Sequence, residues 1–226
     1  MPLPSTTVLR MQRRADAWEQ AGDRRYIFLR CYSMMTANML EALQQDRFHH
    51  RYWVENLLHL FADYYYLALE AYEYDPASAP RVWQDAHEKC AQPDLNVLQY
   101  LLLGINAHIN YDLVLTLYEV LNPEWSSLDL LEQKARYTDH CLVNQIIAET
   151  IDEVQDEVIE RVSPALNWVD RLLGRLDERM LSALINHWRE EVWEYALDMV
   201  NAGPARFEPL RAALEASTLQ KARLIS

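Results

Sequence analysis

One stretch near the middle of the chain, residues 101–115, restricts its possible folds more than any other. It contains no proline, and its apolar residues occur on every side of a helix with ~100° per residue, which is typical of a helix buried all round. Polar residues nevertheless interrupt it: Asn106, His108, Asn110 and Asp112. A buried polar group without a partner costs about 1–3 kcal/mol, so we expect neighbouring segments to provide partners.

The polar residues of this stretch fall on two faces of the predicted helix. His108 and Asp112 are separated by one helical turn and share one face, whereas Asn106 and Asn110 share roughly the opposite face. The pattern predicts a polar pocket inside a helical core, but it does not identify a reaction.

The composition favours an all-α fold. The chain has 226 residues, 50% of them hydrophobic, which is enough for a substantial core. Only 4 residues are glycine, whereas all-β and Rossmann-like folds use glycine in many turns, and no Gly-rich phosphate loop is present. We expect a single-domain bundle of about 7–9 helices around a buried central helix, residues 95–121.

Charge and cysteine content exclude several classes of function. A net charge of −13 argues against nucleic acid and anionic membrane surfaces as partners, because both require a basic surface. The 3 cysteines are odd in number and widely spaced, as expected for free thiols in a reducing compartment. No segment approaches the ~18 apolar residues of a membrane span, and the N-terminus lacks the apolar core of a signal peptide. We therefore expect a soluble cytoplasmic protein.

Capping and turn residues divide the chain into helices. We predict helices at about 5–20, 24–45, 52–72, 81–90, 95–121, 130–162, 163–173, 177–201 and 209–224. A further interruption is expected near Thr138 or Asp139, either of which could cap a new helix, and Gly174 is expected to end one. No linker is long enough to separate domains, so residues 1–226 form one domain, with the helical segments 1–22 and 204–226 at its periphery.

Two later helices also direct polar residues inward. His140 and Asn144 share an otherwise apolar face, and Arg189 and Trp193 lie at one edge of a buried stripe. A guanidinium inside a core is costly unless it is paired, and arginine is suited to bidentate pairing with a carboxylate. Because Asp112 is expected inside, the pattern predicts an Asp112–Arg189 ion pair.

A metal site is an alternative use of the same residues. A divalent zinc, iron or manganese ion would bind His108, Asp112 and His140, with His59 and Asp63 as weaker candidates because they repeat the one-turn spacing. Against this alternative, the arginine expected beside Asp112 would compete with the metal. The simpler interpretation of His59 and Asp63 is that they face water, since the apolar residues of their helix lie opposite.

Motifs spread over most of the chain, from about residue 24 to 200, match those of a known family. They are Phe48, Phe61-Ala62, Tyr65, the run Leu103-Gly104-Ile105-Asn106-Ala107-His108-Ile109-Asn110 with Asp112-Leu113, then Val143-Asn144, Trp188-Arg189 and Trp193. Together they resemble a bacterial family known as domain of unknown function 5995. The resemblance implies a helical protein and adds no chemistry, because the family has no established activity.

Two functions of different classes agree with these patterns. The first is a small-molecule enzyme whose catalytic candidates are His108, Asp112, His140 and Arg189. A His–Asp pair can act as an oriented general base, and the arginine can hold an anionic group of the substrate. The remaining polar and aromatic candidates would bind the substrate: Asn106, Asn110, Asn144 and Trp193. Metal-assisted hydrolysis or oxidation is a variant of this hypothesis.

The second function is non-catalytic. The same polar residues could form a closed internal network in a ligand-binding or scaffold protein, for which a homodimer is one arrangement. A solvent-connected cavity beside His108 would favour the enzyme. Complete internal hydrogen bonding without a cavity would favour the scaffold.

Overall fold

Helices make up the whole of the regular structure in the described part of the chain. The computed structural model describes residues 5–92, 94–154 and 167–226, and the side chains of these residues except 5, 152–154 and 167–179. Within these ranges there is no β-strand, so the predicted all-α class is confirmed.

The helices follow the predicted order. They are α1 Ser5–Gln20, α2 Tyr26–Gln44, α3 Arg51–Tyr74, α4 Arg81–Cys90, α5 Val97–Ala107, a π-helical segment His108–Leu113, α6 Val114–Leu121, α7 Leu130–Val154, α8 Asn167–Ala202 and α9 Phe207–Ile225. Short 3₁₀ turns lie at Pro76–Ser78, Trp125–Ser127 and Pro204–Arg206. We call α5, the π-helical segment and α6 together the central helix; the described residues then form 8 helices, within the predicted range.

Capping explains where several helices begin and end. The side chain of Asn96 accepts a hydrogen bond from the backbone N–H of Gln99, whose own side chain accepts from the N–H of Asn96, and this capping box starts the central helix. Gly22 and Gly203 follow α1 and α8 with φ of 71° and 75°, a conformation that glycine adopts without strain. The predicted ends of these two helices, near residues 20 and 201, are confirmed.

Two predicted interruptions are wrong. Helix α7 continues through Thr138 and Asp139, and α8 continues through Gly174. One glycine inside a helix costs only about 1 kcal/mol relative to alanine, which packing elsewhere along a long helix can offset. The predicted boundary between residues 162 and 163 lies outside the described residues.

The central helix is packed on several sides. It contacts α2, α3, α4, α8 and α9, while α7 packs on α2 and α8, and α1 packs mainly on α2. One cluster of buried apolar residues extends from Met11 to Ala222. The prediction of a helix buried all round is therefore confirmed, and the polar residues of this helix lie in the core.

Two smaller predictions concern the surface and the thiols. Among the helices described, none combines the length and apolar character needed to cross a bilayer. The cysteines Cys31, Cys90 and Cys141 are all free.

Candidate ligand site in the helical core

A cavity of about 140 Å³ lies in the core, between α2, α3, the central helix, α7 and α8. Its lining is almost entirely apolar and includes Phe28, Met39, Leu57, Phe61, Ile147 and Ile185. Among the predicted site residues, only His108 and Arg189 line it. An apolar cavity of about 150 Å³ holds one benzene molecule, so this core cavity has room for a body of about six carbon atoms.

His108 contributes a nearly inaccessible imidazole to the core cavity. His108 is 3% and Asp112 1% exposed, and the distance between His108 Nδ1 and Asp112 Oδ2 is 2.9 Å. The indole N–H of Trp83 donates to the same oxygen at 2.9 Å. His108 Nε2 has no hydrogen-bond partner among the described residues. Because Nδ1 faces Asp112, which does not line the cavity, Nε2 is the remaining polar atom of a residue that does line it.

Burial keeps both members of this His108–Asp112 pair neutral. It lowers the pKa of His108 well below its ordinary value, because a buried imidazolium is not hydrated. It raises the pKa of Asp112 well above its ordinary value, although the hydrogen bond from Trp83 opposes part of that rise. One proton is therefore shared between Oδ2 and Nδ1, and the pair carries no net charge.

Aromatic rings surround His108 and fix its orientation. Phe61 is stacked on the imidazole, with ring centroids 3.6 Å apart and planes 6° apart. Four more aromatic rings lie near the imidazole. Their centroids are 4.4 Å (Tyr32), 5.8 Å (Phe28), 5.9 Å (Tyr65) and 6.1 Å (Trp83) from the centroid of the His108 ring. Such packing leaves the ring little rotational freedom, which is the pre-organisation that a functional histidine requires.

A π-helical segment carries the pair. Residues His108–Leu113 form i→i+5 backbone hydrogen bonds in place of the α-helical pattern. Two hydroxyls donate to carbonyls of this widened turn: Thr218 to Asn110 at 3.1 Å and Thr116 to Asp112 at 2.7 Å. Short π-helical turns inside α-helices occur frequently at functional sites. The residue pattern contains no signal for this one.

Arg189 is held by a second polar group, which we call the Arg189 cluster (Arg189, His140 and Asn144). Arg189 is 4% exposed; its Nε donates to Asn144 Oδ1 at 2.6 Å and its Nη2 to the His140 carbonyl at 2.8 Å. Nη2 also lies 3.3 Å from His140 Nδ1, while His140 Nε2 lies 3.1 Å from the Arg189 carbonyl. This arrangement assigns the proton of His140 to Nε2, so that Nδ1 accepts from the guanidinium.

The charges of this cluster follow from burial. Burial and the adjacent Arg189 charge lower the pKa of His140 well below its ordinary value, so its ring is neutral. Burial lowers the pKa of Arg189 to about 10, which leaves the guanidinium charged at neutral pH. Both nitrogens of His140 are engaged by Arg189, and His140 does not line the cavity. His140 and Asn144 therefore position Arg189.

The predicted Asp112–Arg189 ion pair is wrong. No ion pair among the described side chains joins them, and Arg189 has no acidic partner in that set. Asp112 is satisfied by His108 and Trp83, whereas Arg189 faces α7 and uses an amide and a backbone carbonyl. Helical periodicity correctly placed both side chains in the core. It could not predict which helices would provide the hydrogen-bond partners of their charged groups.

Asn106 and Asn110 face α9 and not the core cavity. Asn106 Nδ2 donates to the Thr218 carbonyl and Asn110 Nδ2 to Asn106 Oδ1, both at 3.0 Å. Lys221 Nζ donates to Asn110 Oδ1 at 2.9 Å. Both residues attach α9 to the central helix, because they lie on the face opposite His108. Their predicted role in binding a substrate stays a prediction.

The remaining candidates also lie away from the cavity lining. Trp193 packs beside His140 and Trp125, with ring centroids 4.9 and 5.9 Å apart. His59 is half-buried and Asp63 is exposed. Trp193 therefore packs against the Arg189 cluster through its contact with the ring of His140.

The predicted metal ligands do not assemble. Among the described residues, no group of three His, Cys, Asp or Glu side chains is placed to hold a metal ion. His108 and Asp112 bond to each other, and both ring nitrogens of His140 face Arg189. His59 and Asp63 do not complete a set with them.

Two important residues were missed by the sequence patterns. Trp83 completes the His108–Asp112 pair; its only signal is that a buried indole N–H usually finds an acceptor. Asp139, which was expected to cap its own helix, is fully buried and accepts the backbone N–H groups of His49 and His50, each at 2.8 Å. It thus anchors the two residues that precede α3 from a distant part of the chain.

Comparison with known proteins identifies one family. A family model described as "Family of unknown function (DUF5995)" matches residues 5–226. Neither a curated protein nor a solved structure matches the chain.

Proposed function

The chain belongs to the family of unknown function DUF5995, so its activity has to be derived from its own site, and we propose that it is a small-molecule enzyme. Its substrate is a small, largely apolar molecule that occupies the core cavity, and the His108–Asp112 pair acts on it by general acid–base chemistry. The observation that carries this proposal is that His108, whose Nε2 has no hydrogen-bond partner among the described residues, lines an apolar cavity. An unpartnered polar atom costs stability, and such costs are typical of functional sites.

The pair can transfer a proton without forming a buried imidazolium. Nε2–H donates its proton to an oxygen of the bound molecule while the Asp112 carboxyl proton moves to Nδ1. The products are an Asp112 carboxylate, held by the Trp83 N–H, and a neutral ring with a free Nε2 lone pair. The reverse sequence removes a proton from the substrate. Since the ring remains neutral throughout, the low pKa of His108 does not prevent the reaction.

A non-catalytic binding protein is the second candidate. It is favoured by the polar groups outside the cavity, since Asn106, Asn110, His140 and Asn144 are all hydrogen-bonded within the protein. In that case His108 would only orient a ligand. A cytoplasmic location, with neither nucleic acid nor membrane as partner, agrees with the acidic composition and belongs to the proposal in either case.

Cyclohexanone in deuterated water tests the proposal. Its six-carbon ring matches the cavity, its oxygen can accept from Nε2–H, and NMR follows deuterium exchange at the carbons beside the carbonyl. We expect the wild-type protein to accelerate exchange over buffer by about 10²–10⁴-fold per bound molecule, the usual contribution of general acid–base catalysis. Asp112→Asn should bind cyclohexanone but lose the acceleration, because the amide cannot relay the proton.

The control variant is Asp129→Asn, the same chemical change at an exposed residue that does not line the cavity, and it should retain exchange. Binding of cyclohexanone without acceleration would overturn catalysis and favour the binding protein. If neither cyclohexanone nor benzene binds, the core cavity is not a ligand site and the proposal fails as a whole.

A further inference from the structure

Arg189 is a buried cation that makes no direct ion pair with a carboxylate of the described residues, although the charge of the adjacent Glu190 opposes the lowering of its pKa by burial. Its hydrogen-bond partners are the Asn144 amide and the carbonyl and neutral ring of His140. Taking a guanidinium out of water costs several kcal/mol unless a counter-charge is present. The protein therefore maintains a charge without a direct ion-pair partner at the edge of an apolar core.

The Arg189 charge borders the same cavity as His108. Arg189 lines the core cavity, and among the residues whose side chains the structure describes no acidic one does. The other polar lining groups are neutral: the hydroxyls of Tyr32, Thr36 and Thr150 and the thiol of Cys31. Nε and Nη2 of Arg189 are held by the Arg189 cluster, and the hydrogen bonds of Arg189 with described residues do not involve Nη1. The guanidinium is thus fixed in place with donor capacity left over.

We propose that the ligand of the core cavity is a monocarboxylate with an apolar body of about six carbon atoms, whose carboxylate is neutralised by Arg189. This inference rests on the proposed function, because it assigns a ligand class to the same cavity. One lining cation matches one negative charge, so a dianion such as a phosphate monoester would bring an unpaired charge into the core. The planar carboxylate also suits the planar donor geometry of arginine.

Cyclohexanecarboxylate and cyclohexanecarboxamide are a matched pair of probes, because they share the six-carbon ring and differ in charge. By isothermal titration calorimetry at neutral pH, we expect the wild-type protein to bind the carboxylate about 10- to 100-fold more tightly than the carboxamide. Arg189→Met should remove this preference by weakening carboxylate binding alone. Arg189→Lys should retain it in part, since the charge remains.

The outcomes separate the two proposals. Equal affinity for both probes in the wild-type protein, or an unchanged preference in folded Arg189→Met, would overturn the monocarboxylate while leaving a small-molecule cavity. If Arg189→Met does not fold, as circular dichroism would show, the wild-type preference and the Arg189→Lys variant decide. Absence of binding by both probes and by benzene would overturn the proposed function itself.

Discussion

At the scale of single residues, burial decides the protonation of the groups in the core. The pKa values of His108 and His140 lie well below the ordinary value, and that of Asp112 well above it, because water does not reach their charged forms. A third buried histidine, His87, has its pKa lowered to about 3, chiefly by burial. These shifts couple protonation to unfolding.

We expect the free energy of unfolding to decrease as the pH falls from about 6 to 5. Each of the three histidines gains a proton on unfolding in this range, contributing about 1.4 kcal/mol per pH unit. Asp112 has the opposite sign: protonated when folded and ionised when unfolded, it stabilises the fold at low pH and loses that effect as the pH rises. On unfolding, the three histidines gain about three protons and Asp112 loses about one, so the free energy of unfolding should change with pH as expected for a net uptake of about two protons. Urea unfolding at several pH values measures this dependence.

The variant His87→Gln removes the contribution of one histidine to this pH dependence. Its ring stacks on Trp83 and lies outside both polar clusters, so the variant should fold and lose about one proton of the slope. His187→Gln is the matched control, because His187 is exposed and pairs only with Glu191. A slope in His87→Gln equal to that of the wild-type protein would contradict the assignment.

At the scale of elements, the central helix combines a packing constraint with an altered hydrogen-bond pattern. A Cβ added at Gly104 would lie 2.6 Å from Cδ2 of Phe28, which α2 brings against this turn. Phe28 in turn contacts the ring of His108. Gly104 is therefore required for the close approach of α2 and contributes to the aromatic surroundings of the pair.

Gly104→Ala should destabilise the protein despite its helical position. Helix propensity alone would stabilise by about 1 kcal/mol. Overlap with Phe28 should outweigh this gain, because crowding a packed core costs about 1–3 kcal/mol, and the melting temperature should fall.

Phe28→Ala provides the control for this overlap, because it removes Cγ and Cδ2, two of the atoms that an added Cβ at Gly104 would overlap. In a double-mutant cycle, Gly104→Ala should be less destabilising when Phe28 has been shortened, because the two side chains compete for one space. A higher melting temperature for Gly104→Ala in the wild-type background would show that α2 does not approach as described.

At the scale of the whole molecule, Asp139 joins distant parts of the chain. Its carboxylate, on α7, accepts the backbone N–H groups that precede α3 and also lies 3.1 Å from His49 Nδ1. Both α3 and α7 contribute walls to the core cavity. This contact therefore helps to hold the cavity walls together.

Asp139→Asn should lower the free energy of unfolding by about 1–3 kcal/mol, because an amide can accept at only one of its two positions and buries an extra donor. Chemical denaturation measures the loss. Asp129→Asn is the matched control: Asp129 caps the exposed start of its own helix, and asparagine caps about equally well. Equal stability of the two variants would contradict the role of Asp139.

The sequence by itself determined the helical class, most helix boundaries and the residues that point inward. Helical period and capping are local properties, so the burial of His108, Asp112, His140 and Arg189 could be predicted without any partner being known. The one-turn spacing likewise predicted that His108 and Asp112 share a face, and they bond.

Only the tertiary structure decided which inward-facing groups meet. Trp83, not Arg189, completes the environment of Asp112, and Arg189 pairs with α7 while facing the cavity. Such pairings depend on the relative position and rotation of helices far apart in the chain, which side-chain periodicity does not encode. The same holds for the π-helical segment, whose hydroxyl donor Thr218 comes from the last helix.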